Sequence, residues 1–382
     1  MKAAFWISLA VVVYTYLAYP LLVLLMSRWF AARESSSAGE FQQSATLILA
    51  VRNEARAIVR RVTELLDHMD RMPRCDELIV VSDGSSDDTV TLLDGFSDSR
   101  LRTIILPSNV GKAAAVSKAA DVARNEILVF ADVRQRWEPE TLSHLLSHFA
   151  TPKVGGVSGE LVLESGVGGA QPVGLYWKYE KWIRRAESAL HSTVGVSGCV
   201  AAVRKALFKP IPSGTILDDV YWPMNVVMQG YRVLHDERAV AVDRLPEQVE
   251  AEFRRKVRTL SGNFQLLQLM PGLLLPWRYP TWWQFMSHKV ARLLVPWALI
   301  IMLLASGFSQ GAFYQGIFWL QIAGLALAAT SLMARNVVPI PGAGALGAFV
   351  MLNFAAFIAF WVWVKGGSAS VWNQTGYHGS NK

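Results

Sequence analysis

From Ala3 to Met26 the chain reads AAFWISLAVVVYTYLAYPLLVLLM without one charged side chain. Such a run is long enough to cross the roughly 30 Å hydrocarbon core of a bilayer as a helix, the form that satisfies every backbone polar group within its own segment. A secretory leader is the competing reading. The apolar stretch exceeds the usual leader core, however, and SRWFAAR follows it instead of a small-residue cleavage site, so a retained anchor is expected. Three further stretches near the other end read as spans, at about 290–308, 313–334 and 345–364. Four membrane helices therefore frame whatever else the chain builds.

Between these ends, from about Arg28 to Arg258, lies a region that carries nearly all the acids and most of the Lys and Arg. Basic residues beside spans stay in the cytoplasm. Arg28 and Arg33 after the first span, and Arg278, Lys289 and Arg292 before the second, therefore place the middle region inside the cell. The uncharged SGFSQGA loop suits the outside and Arg335 suits a return inside. The expected organisation is a membrane helix at 1–30, a cytoplasmic domain at 31–259, an interfacial segment at 260–286, three membrane helices at 287–366 and a polar tail at 367–382. Pro271, Pro276 and Pro280 break any helix that would cross in the interfacial segment, and Trp282 and Trp283 read as interfacial anchors. A multi-pass protein of the cell's inner (plasma) membrane is the expected setting.

The composition agrees, with 52% hydrophobic residues, 14 Trp and 18% charged residues. The net charge of +7 does not point to nucleic acid, because the basic residues sit beside spans and among acids, with no aromatic-interleaved patch. Anionic lipid head groups and a phosphorylated substrate fit better. Cys75 and Cys199 fall in the cytoplasmic region, where thiols stay reduced, and two cysteines make neither a disulfide framework nor a metal quartet.

Within the middle region, strand-like runs TLILAV (46–51), ELIVVSDG (77–84), RTIILP (102–107) and EILVFADV (126–133) alternate with helical stretches. Ile58, Val62, Leu65, Leu66 and Met69 recur at helical spacing, and GKAAAVSKAADVARN is rich in alanine. This alternation predicts a parallel sheet covered on both faces, with the ligand at the carboxyl ends of the strands. Asp83 and Asp132 occupy that edge. Neither GxGxxG after a strand nor GxxxxGK[ST] occurs, so dehydrogenases and P-loop enzymes are disfavoured.

The series LILAVRNEARAI, ELIVVSDGSSDDT, NVGKAAAVSKA, EILVFADVRQRWEPETL, VSGCVAAVRKALF and LDDVYWPMNVVMQGYRV resembles a family 2 glycosyltransferase of GT-A fold. The flanking spans add a resemblance to the membrane-integrated branch, which makes cellulose, hyaluronan, chitin oligosaccharides, poly-N-acetylglucosamine and glucosylceramide. The resemblance implies an α/β GT-A domain with a mainly parallel sheet, joined to a helical membrane region. It also implies inverting transfer from a UDP-sugar to a lipid or saccharide acceptor, helped by one Mg²⁺ or Mn²⁺. An oligomer or a secretion partner could complete a polymer channel. A scaffold or transport subunit that keeps the fold without activity is the alternative.

By the same resemblance, Ala50, Arg52, Asn53 and Glu54 lie along the nucleoside, although acids there also start helices. Asp83 would stand free to accept from the uracil imide, although Asp-Gly also makes turns. Asp87 and Asp88 read as helix caps. Lys112 meets the diphosphate as a point charge. Asp132 holds the metal where relatives show DxD, and Arg134 replaces the second acid, either as a cation for the phosphates or paired with an acid such as Glu138. Asp219 is the catalytic base, with Asp218 beside it; Ser197, Gly198 and Cys199 floor the acceptor site, Cys199 as a wall residue. Arg255 and Arg258 keep the cationic positions of the processive Q/RxxRW motif, whereas Thr259 stands where its tryptophan would stack on a sugar.

Overall fold

The computed structural model describes residues 1–30, 41–164, 171–244, 249–333 and 342–366. Arg33, Arg335 and the polar tail at 367–382 lie outside the described residues. Eight strands form one sheet: β1 (Ala45–Val51), β2 (Cys75–Asp83), β3 (Leu101–Leu106), β4 (Ile127–Ala131), β5 (Arg136–Trp137), β6 (Val154–Glu164), β7 (Val200–Arg204) and β8 (Arg232–Arg244). Their order is β3-β2-β1-β4-β7-β6-β8-β5. The first four are mutually parallel; β7 runs antiparallel to β4 and β6, and β8 runs parallel to β6. The four strand-like runs read from the sequence are β1 to β4.

Helices cover both faces. α1 is the long N-terminal helix Lys2–Trp29. On one face lie α2 (Ile58–Asp70), α3 (Thr89–Asp94) and, further on, α5 (Thr141–Ser147). Ile58, Val62, Leu65, Leu66 and Met69 are all buried there, as their spacing requires. On the other face α4 (Lys112–Val122) packs through Ala113, Ala115, Val116, Ala119 and Ala120. Its small side chains let it lie close to the strands. α6 (Gln171–Leu190), α7 (Asp218–Met228) and α8 (Val249–Leu269) close the domain.

The remaining helices are α9 (Trp282–Gly307), α10 (Ala312–Met333) and α11 (Ala343–Val364); with α1 they are the four described helices long and apolar enough to cross a membrane. α1 packs on α9 by contacts that run from Phe5 beside Met302 and Ala305 to the Tyr14 hydroxyl, 2.7 Å from the Ser287 hydroxyl.

Several expectations shift here. α8 continues to Leu269, through the expected boundary at 259/260, because its one face packs along α11 (Phe253 stacked on Phe354, Phe264 on Trp363). Leu266, Met270 and Leu273, expected at the interface, are buried in the domain core with Val226 and Trp222. α9 begins at Trp282, so Lys289 and Arg292 lie inside a helix instead of before it. Trp283 packs edge-on to Tyr19 and donates to the Tyr14 hydroxyl (2.9 Å), and Trp282 donates to the Leu274 carbonyl (3.1 Å). Both indoles therefore have protein partners.

Candidate active site

A cleft of about 540 Å³ opens between the sheet edge, α7, α8 and the apolar helices. β4 delivers its first group. All five β4 residues are buried, and the strand ends one residue before Asp132, whose side chain is one-third exposed. Two α2 arginines fix the turn: Arg61 Nε donates to the Asp132 carbonyl (2.9 Å) and Arg60 to the Val133 carbonyl (3.3 Å). Arg61 itself is fully buried, clamped by Glu64 at 2.7 Å and by the Trp137 ring. A charge so deep is kept only when paired, so this arginine is part of the site's frame.

Lys112, at the first position of α4, donates to Asp132 Oδ1 at 2.6 Å. Burial works against its charge, but the Asp132 and Asp218 carboxylates hold the ammonium above the usual lysine range. Arg134 does not pair with Glu138, which lies 3.7 Å from Arg136. Arg134 lies 3.5 Å from Asp243 of β8, which also accepts from Gln135 at 2.7 Å. Asp243 was not legible in the sequence, because β8 meets the loop after β4 only through the fold. Among the described residues no cluster of three His, Cys, Asp or Glu side chains could hold a metal. A single carboxylate at Asp132, with one oxygen taken by Lys112, still suits a cation that keeps its waters and leans on substrate phosphates.

Asp218 and Asp219 open α7. Asp219 Oδ1 is buried and has no hydrogen-bond partner among the described residues. Burial, and then the Asp218 charge, push the Asp219 carboxyl up to about 6. A carboxylate held in this way is suited to take a proton near neutral pH. Its backbone carbonyl accepts from Val196 N–H at 2.9 Å, which ties α7 to the Gly195–Cys199 segment. A Cβ placed on Gly198 would lie 3.5 Å from Asp219 Cβ and 3.8 Å from Lys112 Nζ, so the glycine keeps open the space between them. Ser197 accepts from Arg184 at 3.3 Å. Cys199 is buried, and burial pushes its thiol up to about 12, as befits a wall residue.

The cleft thus gathers Lys112, Asp132, Arg134, Ser197, Gly198, Cys199, Asp218, Asp219, Arg255 and Arg258. Arg255 is turned to Glu252 at 2.7 Å. Ala50, Arg52, Asn53, Glu54 and Asp83 do not line it; they sit at the neighbouring carboxyl edge of β1 and β2. Asp83 is not free as expected, because its two oxygens accept the Val110 and Gly111 amides (2.7 and 2.9 Å) and so pin the loop that starts α4. Asn53 adopts φ 54° and accepts from Ser86 N–H at 2.8 Å. Asp87 caps Thr89 N–H and also holds Ala55 N–H, both at 3.1 Å, whereas Asp88 makes no side-chain cap. Glu54 is raised, first by burial and then by Asp87 and Asp132, with Arg134 opposing.

Residues missed from the sequence line the membrane side: Glu180 and Arg184 of α6, His288, Lys289 and Arg292 of α9, Tyr16 of α1 and Asn353 of α11. His288 bridges Glu187 (2.8 Å) and Glu180 (2.7 Å), Arg292 donates to Glu180 (2.8 Å), and Tyr19 donates to Glu187. Burial opposes ionisation of Glu180, but Arg292 and His288 hold its carboxyl well below the usual range. Two signals were available: Glu180, Arg184 and Glu187 form a polar stripe on one helix face, and ionisable residues inside an apolar span default to function.

Residues 46–211 match the family described as Glycosyl transferase family 2. The chain is 22% identical over 229 residues to the poly-beta-1,6-N-acetyl-D-glucosamine synthase of Staphylococcus epidermidis, covering 58% of this chain and 55% of that one. The Staphylococcus aureus synthase gives the same figures. The chain spans about half the length of the curated relatives it matches. Among solved structures, a mannosyltransferase from Pyrobaculum calidifontis, in complex with GDP-Man and Mn2+, superposes with a TM-score of 0.71 at 21% identity over 94% of this chain and 99% of that one, which shows a common fold. Residues 46–211 therefore match a glycosyl transferase family 2 domain, and the chain that holds them has a GT-A fold joined to four helices apolar enough to span a membrane.

Proposed function

We propose that the protein transfers a sugar, with inversion, from a UDP-sugar to the hydroxyl of an acceptor presented at the membrane, working at the cytoplasmic face of the inner (plasma) membrane. The observation that carries this reading is the buried, unpartnered Oδ1 of Asp219, separated from Lys112 only by the space that Gly198 keeps open. The acceptor hydroxyl stands in that space and gives its proton to Asp219. Its oxygen bonds to the anomeric carbon while the nucleoside diphosphate leaves from the opposite side toward Lys112, Arg134, Arg255 and Arg258. Asp132 would hold one Mg²⁺ or Mn²⁺, which when bound neutralises diphosphate charge. Each Asp83 oxygen spends one lone pair on a backbone amide and retains another for a base imide. Ala50, Arg52, Asn53 and Glu54 would line the nucleoside.

The test is nucleotide release by the purified full-length protein across a panel of UDP-sugars, with GDP-mannose included because the Pyrobaculum calidifontis structure is a complex with GDP-Man, followed by mass spectrometry of products formed with native lipids. UDP release from one UDP-sugar supports the reading. Preference for GDP-mannose would overturn the choice of base. Failure to bind any nucleotide sugar would leave the non-catalytic scaffold in its place.

A further inference from the structure

The cleft holds more cationic charge than a donor site needs, and most of it has a visible partner. Lys112 is paired with Asp132, Arg134 with Asp243, Arg255 and Lys256 with Glu252, and Arg292 with Glu180. Arg184 and Lys289 are different. Neither makes an ion pair within 4 Å among the described residues, and both line the cleft half-buried. Leaving two cations unpaired in a partly desolvated cleft is unfavourable, and an anion brought by a ligand would relieve it.

Their position says which ligand. A Cβ on Gly195 would lie 3.8 Å from Lys289 Nζ and 3.7 Å from the Asp219 carbonyl, whereas a Cβ on Gly198 would lie 3.8 Å from Lys112 Nζ. Arg184 reaches Ser197 between these two glycines. The short segment Gly195–Gly198 therefore has the donor-side lysine at one end, Lys289 at the other, and Asp219 above it. Lys289 itself, Tyr16, Asn353 and Ala356 come from the apolar helices, so this end of the cleft faces the membrane part of the protein. A neutral saccharide chain would want aromatic platforms for its apolar faces. Tyr16 is the one aromatic ring besides the His288 imidazole among the described lining residues, and Thr259, which also lines the cleft, offers no ring.

We propose that Arg184 and Lys289 form a phosphate subsite on the acceptor side of Asp219, and that the acceptor is a membrane lipid whose head group carries a hydroxyl next to a phosphate. This rests on the transfer reading above and names its acceptor class. The head-group hydroxyl loses its proton to Asp219 and its oxygen bonds to the anomeric carbon. The bond from that carbon to the β-phosphate oxygen breaks, and its electron pair leaves with the nucleoside diphosphate. Arg184 makes charge-assisted hydrogen bonds to the phosphate in fork geometry and Lys289 adds a point charge.

The test reconstitutes the full-length protein in phosphatidylcholine nanodiscs containing phosphatidylinositol or phosphatidylglycerol, which carry hydroxyls beside a phosphate, or diacylglycerol, which has a hydroxyl alone. Glycerol 3-phosphate and an oligosaccharide of the donor sugar are the soluble arms. Labelled sugar is expected in a phosphate-bearing lipid. Arg184→Gln and Lys289→Gln should each raise the apparent KM for that lipid by about 10- to 100-fold, with UDP affinity unchanged and with Lys289→Arg recovering most of the loss. Preferential labelling of diacylglycerol or the oligosaccharide overturns the subsite, and preferential labelling of glycerol 3-phosphate overturns the lipid assignment. If no arm is labelled, native mass spectrometry of retained lipid decides: the wild type must keep phosphatidylinositol over phosphatidylcholine and both variants must lose that preference. Equal retention by wild type and variants overturns the proposal. Loss of nucleotide binding by the wild type would instead remove the transfer reading, so the two failures are told apart.

Discussion

Asp219→Asn separates a catalytic base from a carboxylate that merely starts a helix, through two readouts of opposite sign. The amide keeps the shape of the side chain and cannot take a proton, so transfer should fall by about 10²–10⁴-fold. UDP affinity should hold, because Asp219 lies beyond Gly198 from Lys112, the lysine proposed to meet the diphosphate. The wild-type kcat/KM should rise through a limb near pH 6, where the free Asp219 ionises; the variant's residual rate should lack that limb. Stability should move the other way. A carboxyl pushed up to about 6 from an ordinary 3.8 favours its protonated form in the fold. Ionisation then costs the native state above pH 6, by up to about 3 kcal/mol at 1.36 kcal/mol per pH unit. The cost fades as pH falls toward 4. Asparagine carries no such cost, so the variant's Tm should exceed the wild type's at pH 7.5 and converge with it in acid. The measurements are product formation with a labelled UDP-sugar from pH 5 to 8.5 and thermal unfolding at pH 4.5 and 7.5. Transfer near the wild-type rate would remove Asp219 from the base role, and a variant no more stable at pH 7.5 would refute the buried-charge account.

Four further outcomes are expected. Gly198→Ala fits the backbone, because its nearest contact would be 3.5 Å; it should nevertheless cut transfer by roughly 100-fold through displacement of the reacting hydroxyl, with UDP affinity retained in titration. Arg134→Asp should weaken UDP binding most at low Mg²⁺ or Mn²⁺, since it adds an acid beside Asp243 and Glu54 that only metal can neutralise; identical metal dependence in titrations of wild type and variant would show that Arg134 has no part in holding the diphosphate. His288→Leu should destabilise by about 3–5 kcal/mol, as expected when one partner of a buried ionic network is lost, read as a lowered Tm in detergent. Leu65→Ala, deep under the sheet, should cost about 2–5 kcal/mol in the same assay without altering the pH limb of activity.

What the sequence made legible follows from how local each signal was. β1, β2 and β4 were readable because strands buried on both faces are near-continuous apolar runs, α2 because burial on one face imposes a period on its residues, and Asp132 because β4 simply stops before it. The α7 acids were readable because adjacent carboxylates at a helix start are a local pattern. Asp243, the twelfth of the 13 residues of β8 and paired in register with Leu163, meets Arg134 only after the sheet has formed, and nothing in the surrounding sequence marks it. Asp83 shows the reverse error. The motif singled it out correctly as a residue at the strand end, but the two amides that occupy its oxygens come from a loop 27 and 28 residues away, beyond the reach of local reading.

Lys289 and Arg292 carry the most instructive difference. Basic residues beside an apolar run were read as markers of sidedness, a rule that treats them as solvated by lipid head groups and water. In the fold the helix starts earlier, at Trp282, and turns both side chains inward. Arg292 is spent on Glu180, within the network that ties α9 to α6. Lys289, three residues earlier on the same helix, finds no acid within 4 Å among the described residues and points at the backbone beneath the candidate base. Of these two cations from one short segment, Arg292 thus fastens α9 to α6, while Lys289 is left facing the cleft. The rule that assigned both to topology could not distinguish them, because the distinction lies in α6, about a hundred residues earlier in the chain, where Glu180 reaches Arg292 at 2.8 Å and, among the described residues, no acid comes within ion-pair distance of Lys289.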